Sequence, residues 1–232
     1  MKPRFCILIV AIILIIPTYT TSIHVVSDSH EIANIDLDLV PRIYGEDISE
    51  IIFQEVSQSK YMSLIIELTA FGPRSGGGEK PREWIKEQLI ELSEGRIEVE
   101  ILGNAESIVG LLPGYLPGNN PVLMIGGHYD TVGGPGANDD ASGVASSLEL
   151  ARVMSKYMWP LDIYFCAWNL EEEGLIGSAE CVEIFQQRGL EILNYWNVDM
   201  ILYQDVIFDP ERLVILGYGP EAKNIGELGE AM

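Results

Sequence analysis

From Val122 onward the chain alternates short apolar runs with segments of helical period, and this alternation constrains the fold more than any other feature. The runs are Val122-Leu123-Met124-Ile125, Ile163 to Trp168, and Tyr195 to Val198. Between the first two, residues 141–157 place Val144, Leu148, Ala151 and Met154 on one helix face. Apolar strands joined by helices are the mark of parallel strands covered on both sides, because each crossover helix lies against a face of the sheet. The expected class is therefore α/β: a mixed, mainly parallel twisted sheet with helices on both faces.

The segment before Val122 fits an approach to that sheet. Ile48, Ile52, Val56, Met62, Ile65 and Leu68 recur at helical spacing. Phe71-Gly72-Pro73-Arg74-Ser75, followed by glycines, is a loop, and Pro81 suits the first turn of a helix with Trp84, Ile85, Leu89 and Leu92 on one face. Arg96 to Ile101 alternates strictly, which predicts a strand with one wet face at a sheet edge; Ser107 to Leu112 is a second strand, closed by Pro113-Gly114. Leu213 to Leu216 reads as a last strand, and Pro220 opens a helix that is still amphipathic at Met232.

Lys2 and Arg4 precede an apolar run from Phe5 to Ile16 that ends at Pro17 and small polar residues. That is the layout of a secretory signal, and the run falls short of the ~20 residues that span a bilayer as a helix. Residues 1–22 are thus expected to be a signal peptide or signal anchor, 23–45 a linker or pro-segment, and 46–232 the functional domain of a secreted or cell-surface protein. The net charge of −21 excludes a phosphate-backbone binder and favours cationic groups such as the free amine of a peptide. Outside the signal only Cys166 and Cys181 remain; Cys166 reads as a buried thiol, and a disulfide between the two is left open.

Four segments carry chemistry: Gly127-His128-Tyr129-Asp130, Gly136 to Gly143, Glu171-Glu172-Glu173-Gly174, and Asn197-Val198-Asp199-Met200. Each falls just past the carboxyl end of an expected strand or at the entry to the helix at Ala141, the edge where open α/β sheets bind ligands. Taken singly, His128 reads as a structural histidine, Asp139 and Asp140 as helix N-caps, and Glu171 to Glu173 as a solvated turn. Asp199, at the end of an apolar strand expected to be buried, needs a partner for its charge. Together they supply one imidazole and several carboxylates, a ligand set that suits zinc in a hydrolytic centre.

Phe71-Gly72-Pro73-Arg74, Ser107-Ile108-Val109-Gly110 with Pro113-Gly114, Gly127-His128-x-Asp130, Gly136-x-x-Asp139-Asp140-x-Ser142-Gly143 and Glu171-Glu172-x-Gly174-Leu175-x-Gly177-Ser178 resemble the aminopeptidase Y and bacterial leucyl aminopeptidase family of co-catalytic zinc exopeptidases. The resemblance runs from about Leu68 to Met200. It implies two Zn2+ ions bridged by Asp139, with His128 and Asp199 completing one set of ligands and Glu172 binding the other ion. It also implies that Asp130 fixes the tautomer of His128, that Glu171 is the general base for a zinc-activated water, and that the Asp139-Asp140 peptide bond is cis. The implied activity is hydrolysis of N-terminal residues from peptides with a free amino terminus.

In that family a further His binds with Glu172, and no His follows Asp199 here. The expectation is a domain that stops before its last strands and helices, with one well-held ion. A glutaminyl cyclase-like one-zinc enzyme and a non-catalytic ectodomain of the same fold are the alternatives; the His128-x-Asp130 pair favours two metals.

Overall fold

The helical period across Ile48 to Leu68 is broken at Ser57. The computed structural model describes residues 48–202; the expected signal segment and linker, and the strand and helix expected at Leu213 and Pro220, lie outside them. Helix α1 spans Ile48–Glu55 and α2 spans Gln58–Thr69. Ser57 caps α2, its hydroxyl accepting the backbone N–H of Lys60 at 3.2 Å. The break resets the helical phase, so Tyr61, Leu64, Ile65 and Leu68 form the buried face and Met62, expected on it, is 38% exposed. Helix α3, Glu79–Leu92, buries Pro81, Ile85 and Leu89, with Trp84 and Leu92 packed at the margin as their spacing predicts.

Strands β1 (Glu98–Leu102), β2 (Ser107–Leu112), β3 (Val122–His128), β4 (Ile163–Trp168) and β5 (Ile192–Asn197) form one sheet in the order β1-β2-β4-β3-β5. β1 and β2 are antiparallel to each other, as are β2 and β4, whereas β3 runs parallel to both β4 and β5. The sheet is mixed with a parallel centre, as expected, and β1 lies at an edge with Glu98 and Glu100 exposed. Helix α4 (Ala141–Met154) crosses between β3 and β4, and α5 (Ile176–Gln187) between β4 and β5.

The period of two along the strands sorts the core into two faces. Ile108, Leu112, Ile125, Ile163 and Phe165 face α1 to α4, whereas Val109, Val122, Met124, Cys166 and Trp168 face Cys181 and Phe185 of α5. Both cysteines are buried free thiols in the second cluster. Helix α4 departs from its expected single stripe: every residue from Ala141 to Met154 except Arg152 is buried. Lying between the sheet and the outer helices, it is enclosed all round, and Gly143, Ala145, Ser146 and Ser147 permit the close approach. Glu149, wholly buried, is held by Arg152 at 2.6 Å and accepts the backbone N–H of Ser57, tying α4 to the start of α2.

β5 is a correction. The run Tyr195 to Val198 was expected to be buried, and Val198 is, yet among the described residues β5 has one strand neighbour and Tyr195 is 39% exposed. Asp199 just beyond it is likewise exposed, so its charge is not forced to find a partner by burial.

Candidate metal centre

The carboxyl ends of β3, β4 and β5 meet the amino end of α4, and the expected site residues gather there. His128 closes β3, its side chain 3% exposed. Gly127 before it can carry no side chain, because a Cβ would stand 2.3 Å from Asp140 Oδ2. This vacancy lets Asp140 lie against the strand. Its Oδ2 accepts the backbone N–H of His128 at 3.1 Å, and its Oδ1 accepts that of Gly143 at 2.7 Å as the N-cap of α4. The peptide bond between Asp139 and Asp140 is cis. Burial, with the charge of Asp199 added, pushes the Asp140 carboxyl well above the usual range.

Asp139, half-exposed, approaches the site from this loop with Oδ1 3.0 Å from His128 Nε2. His128, Asp139 and Asp199 offer ligand atoms that all lie within 4.8 Å of one another, and so do His128, Glu171 and Glu172. His128 Nε2 is 3.8 Å from Glu171 Oε2. The first group is the ligand set expected for one ion. In the second, His128 stands where Asp139 was expected with Glu172, and Glu171 joins them. Although both side chains are exposed, partial desolvation raises the carboxyls of Glu172 and Asp199, and in both the neighbouring charge of Asp139 adds to it. No Lys or Arg forms an ion pair with Asp139, Glu171, Glu172 or Asp199 among the described residues. One imidazole amid uncompensated carboxylates fits a divalent cation with nitrogen and oxygen ligands, as zinc is.

Asp130, 1% exposed, has two relations of different kinds. Its Oδ1 lies 3.3 Å from His128 Nδ1, the pairing expected of it, but the alignment leaves Nδ1 in contact without a formed hydrogen bond. Its two oxygens accept the backbone N–H groups of Glu171 at 3.1 Å and Glu172 at 3.2 Å, so Asp130 sets the turn that carries both glutamates. Burial works against its charge, yet His128 and these two N–H groups outweigh it and hold the carboxyl low. For His128 burial opposes protonation, but Asp130, Asp140 and Glu171 prevail and lift it to about 9.

Two residues that the sequence did not single out complete the frame. Asn169 donates to the carbonyls of Gly76 at 3.2 Å and Ala105 at 2.7 Å, anchoring the chain just before Glu171. Arg74, quoted only as part of a motif, is 2% exposed and donates into the loop between His128 and Asp139. Burial pulls its pKa down to about 10, against the pull of Asp140 and Asp130.

With this arrangement defined, comparison with known proteins identifies its class. Residues 107–224 match the sequence profile of peptidase family M28, which is about half of the chain, and the chain belongs to that family. It is 31% identical over 217 residues to a probable zinc metalloprotease of Pyrenophora teres f. teres, covering 77% of this chain and 46% of that protein. The crystal structure of LapB from Legionella pneumophila aligns with a TM-score of 0.62 at 30% identity, covering 68% of this chain and 47% of that one. That of the LapA aminopeptidase from the same organism aligns at 0.61 and 25% identity, covering 75% and 48%. The chain thus spans about half the length of the proteins it matches.

Proposed function

We propose that the chain acts as, or belongs to, a zinc-dependent aminopeptidase that removes N-terminal residues from peptides. The observation that carries this reading is the convergence of His128, Asp139 and Asp199, with Glu171 and Glu172 beside them, at the carboxyl edge of the sheet. Zinc held there supplies Lewis acidity that activates water and polarises a carbonyl. His128, Asp139 and Asp199 would hold one ion. By the family resemblance Asp139 and Glu172 would be two protein ligands of a second ion, which is expected to be held more weakly. Glu171 takes a proton from the attacking water at a carboxylate oxygen and passes it to the leaving amine, and Glu172 serves as ligand; this division rests on the family resemblance. Asp130 fixes the glutamate turn and faces His128. The surplus of carboxylates draws in the α-ammonium of a peptide, which favours action at a free amino terminus.

Zinc-loaded protein should release the amine from a leucyl-anilide and leave the N-acetylated counterpart intact. Cleavage of the blocked substrate instead would move the reading to an endopeptidase. The N-terminal apolar run supports export of the protein; N-terminal sequencing of material recovered outside the cell would find it shortened near residue 22, or whole if the segment is an anchor.

A further inference from the structure

We infer that Arg74 is a positioning residue for the metal centre: its guanidinium holds the loop between His128 and Asp139 in a ligand-ready shape before any ion binds. The inference rests on the zinc reading for its affinity test alone.

The loop from Tyr129 to Gly136 closes around this side chain. Nε donates to the carbonyl of Tyr129 at 2.7 Å, at the entry of the loop. Nη1 donates to Pro135 at 2.5 Å and Nη2 to Gly136 at 3.2 Å, at its exit. The backbone of Arg74 adds a second clasp, its N–H donating to Thr131 Oγ1 at 2.8 Å and its carbonyl accepting the N–H of Thr131 at 3.3 Å. Thr131 Oγ1 in turn donates to Gly134 at 3.0 Å, so the turn is knitted from within.

The shape that results is specific to the site. Gly136 sits at φ +54°, and a Cβ there would stand 2.3 Å from the Asp139 carbonyl oxygen and 3.1 Å from Arg74 Nη2. Its carbonyl also accepts the N–H of Ala141 at 3.0 Å, the first residue of α4. One planar donor therefore fixes the residue after His128, the turn before Asp139 and, through Gly136, the start of the helix. A guanidinium presents several N–H groups in a rigid fork; an ammonium is a point charge that cannot span both sides of the loop. The nearby negative charges of Asp130 and Asp140 balance the buried cation. Groups that orient ligands from behind typically govern metal affinity by about 10- to 100-fold.

Two measurements test this. In the unaltered, metal-free chain the amide protons of Thr131 and Ala141 should exchange at least about 100-fold more slowly than in an unstructured chain. Exchange at the free-chain rate, with protection gained only on adding zinc, would show that the ion and not Arg74 shapes the loop, and would overturn the inference. Second, zinc affinity by chelator competition should fall about 10- to 100-fold in Arg74→Met, with Arg74→Lys recovering only part of the loss. Both are measured where circular dichroism shows the variant fully folded, so that global stability does not contribute. Affinity within about twofold of the original in a folded Arg74→Met protein would also overturn it. If neither variant folds, the exchange measurement decides. A wild-type chain that takes up no zinc would sink the zinc reading while leaving the exchange result to judge Arg74.

Discussion

The carboxylate of Asp140 accepts the backbone N–H of His128, a side chain from the loop reaching back to the strand that presents the histidine. Its other oxygen caps α4 at Gly143, so both oxygens serve as acceptors from fixed donors. Asparagine has only one such oxygen and would set an NH2 group against one of the two N–H groups. Asp140→Asn should therefore lower stability by about 1–3 kcal/mol, the cost of an unsatisfied buried donor. A urea midpoint unchanged in the variant would mean that one of the two bonds is dispensable.

Gly143 is where α4 touches the end of β5. A Cβ there would stand 1.9 Å from the Val198 carbonyl oxygen and 2.4 Å from Asp140 Oδ2, and that carboxylate is itself held by the N–H groups of His128 and Gly143, so neither neighbour gives way cheaply. Gly143→Ala should cost about 1–3 kcal/mol, as overpacking does. By displacing Val198 it should also draw Asp199 away from His128 and weaken zinc binding. Calorimetric titration of the folded variant reads the second effect independently of the first.

Dialysis against zinc followed by elemental analysis should find close to one ion per chain. His128→Ala should abolish it, since His128 is common to both candidate ligand groups. Folded wild-type protein without zinc would end the metallopeptidase reading.

Glu171 and Glu172 are separated by role. Glu171→Gln should retain zinc while turnover drops by about 10²–10⁴, the range for loss of a general base. Glu172→Gln should lower zinc occupancy itself. The reverse pattern would exchange the two assignments.

Glu55 joins α1 to the chain beyond α4: it pairs with Lys156 and accepts the hydroxyl of Tyr157 at 2.6 Å. Burial raises its pKa, but these partners outweigh it and leave it below its ordinary value. The unfolded chain then takes up the proton first as pH falls. This contribution to stability is full above the ordinary glutamate value and is lost as pH drops through the lowered one. Between about pH 5 and pH 3 the urea midpoint should fall more in wild type than in Glu55→Gln. Parallel curves would assign acid sensitivity elsewhere.

Much of the frame was legible because apolar runs and helical periods are written in side chains. The strands from Ser107 to Trp168, the edge position of β1, the placement of the site motifs at strand ends and the cap at Asp140 all follow from such patterns. The relations that escaped are made by the backbone. Asp130 holds the N–H groups of the glutamate turn, and Arg74 gathers carbonyls from two ends of one loop. A carbonyl is present at every residue, so its use as an acceptor leaves no trace in residue identity. Met62 was misplaced for a similar reason: the break capped at Ser57 separates two helices, so a spacing counted across it puts Met62 on the wrong face while Ile65 and Leu68 stay buried. Asp199 was read as buried because its strand is apolar, whereas exposure depends on neighbours across the sheet.

The ligand atoms come from the ends of different strands and from the loop before α4, and they approach one another only when the parallel register of β3 with β4 and β5 is in place. An unfolded chain holds no such cluster. Any ion bound across these strands therefore recognises the native state alone, and by mass action its free concentration becomes a thermodynamic variable of folding. At 100 times the dissociation constant the linkage is about 2.7 kcal/mol. On the zinc reading, a melting temperature for this protein is a property of protein and metal buffer together, and the free zinc concentration enters its folding equilibrium.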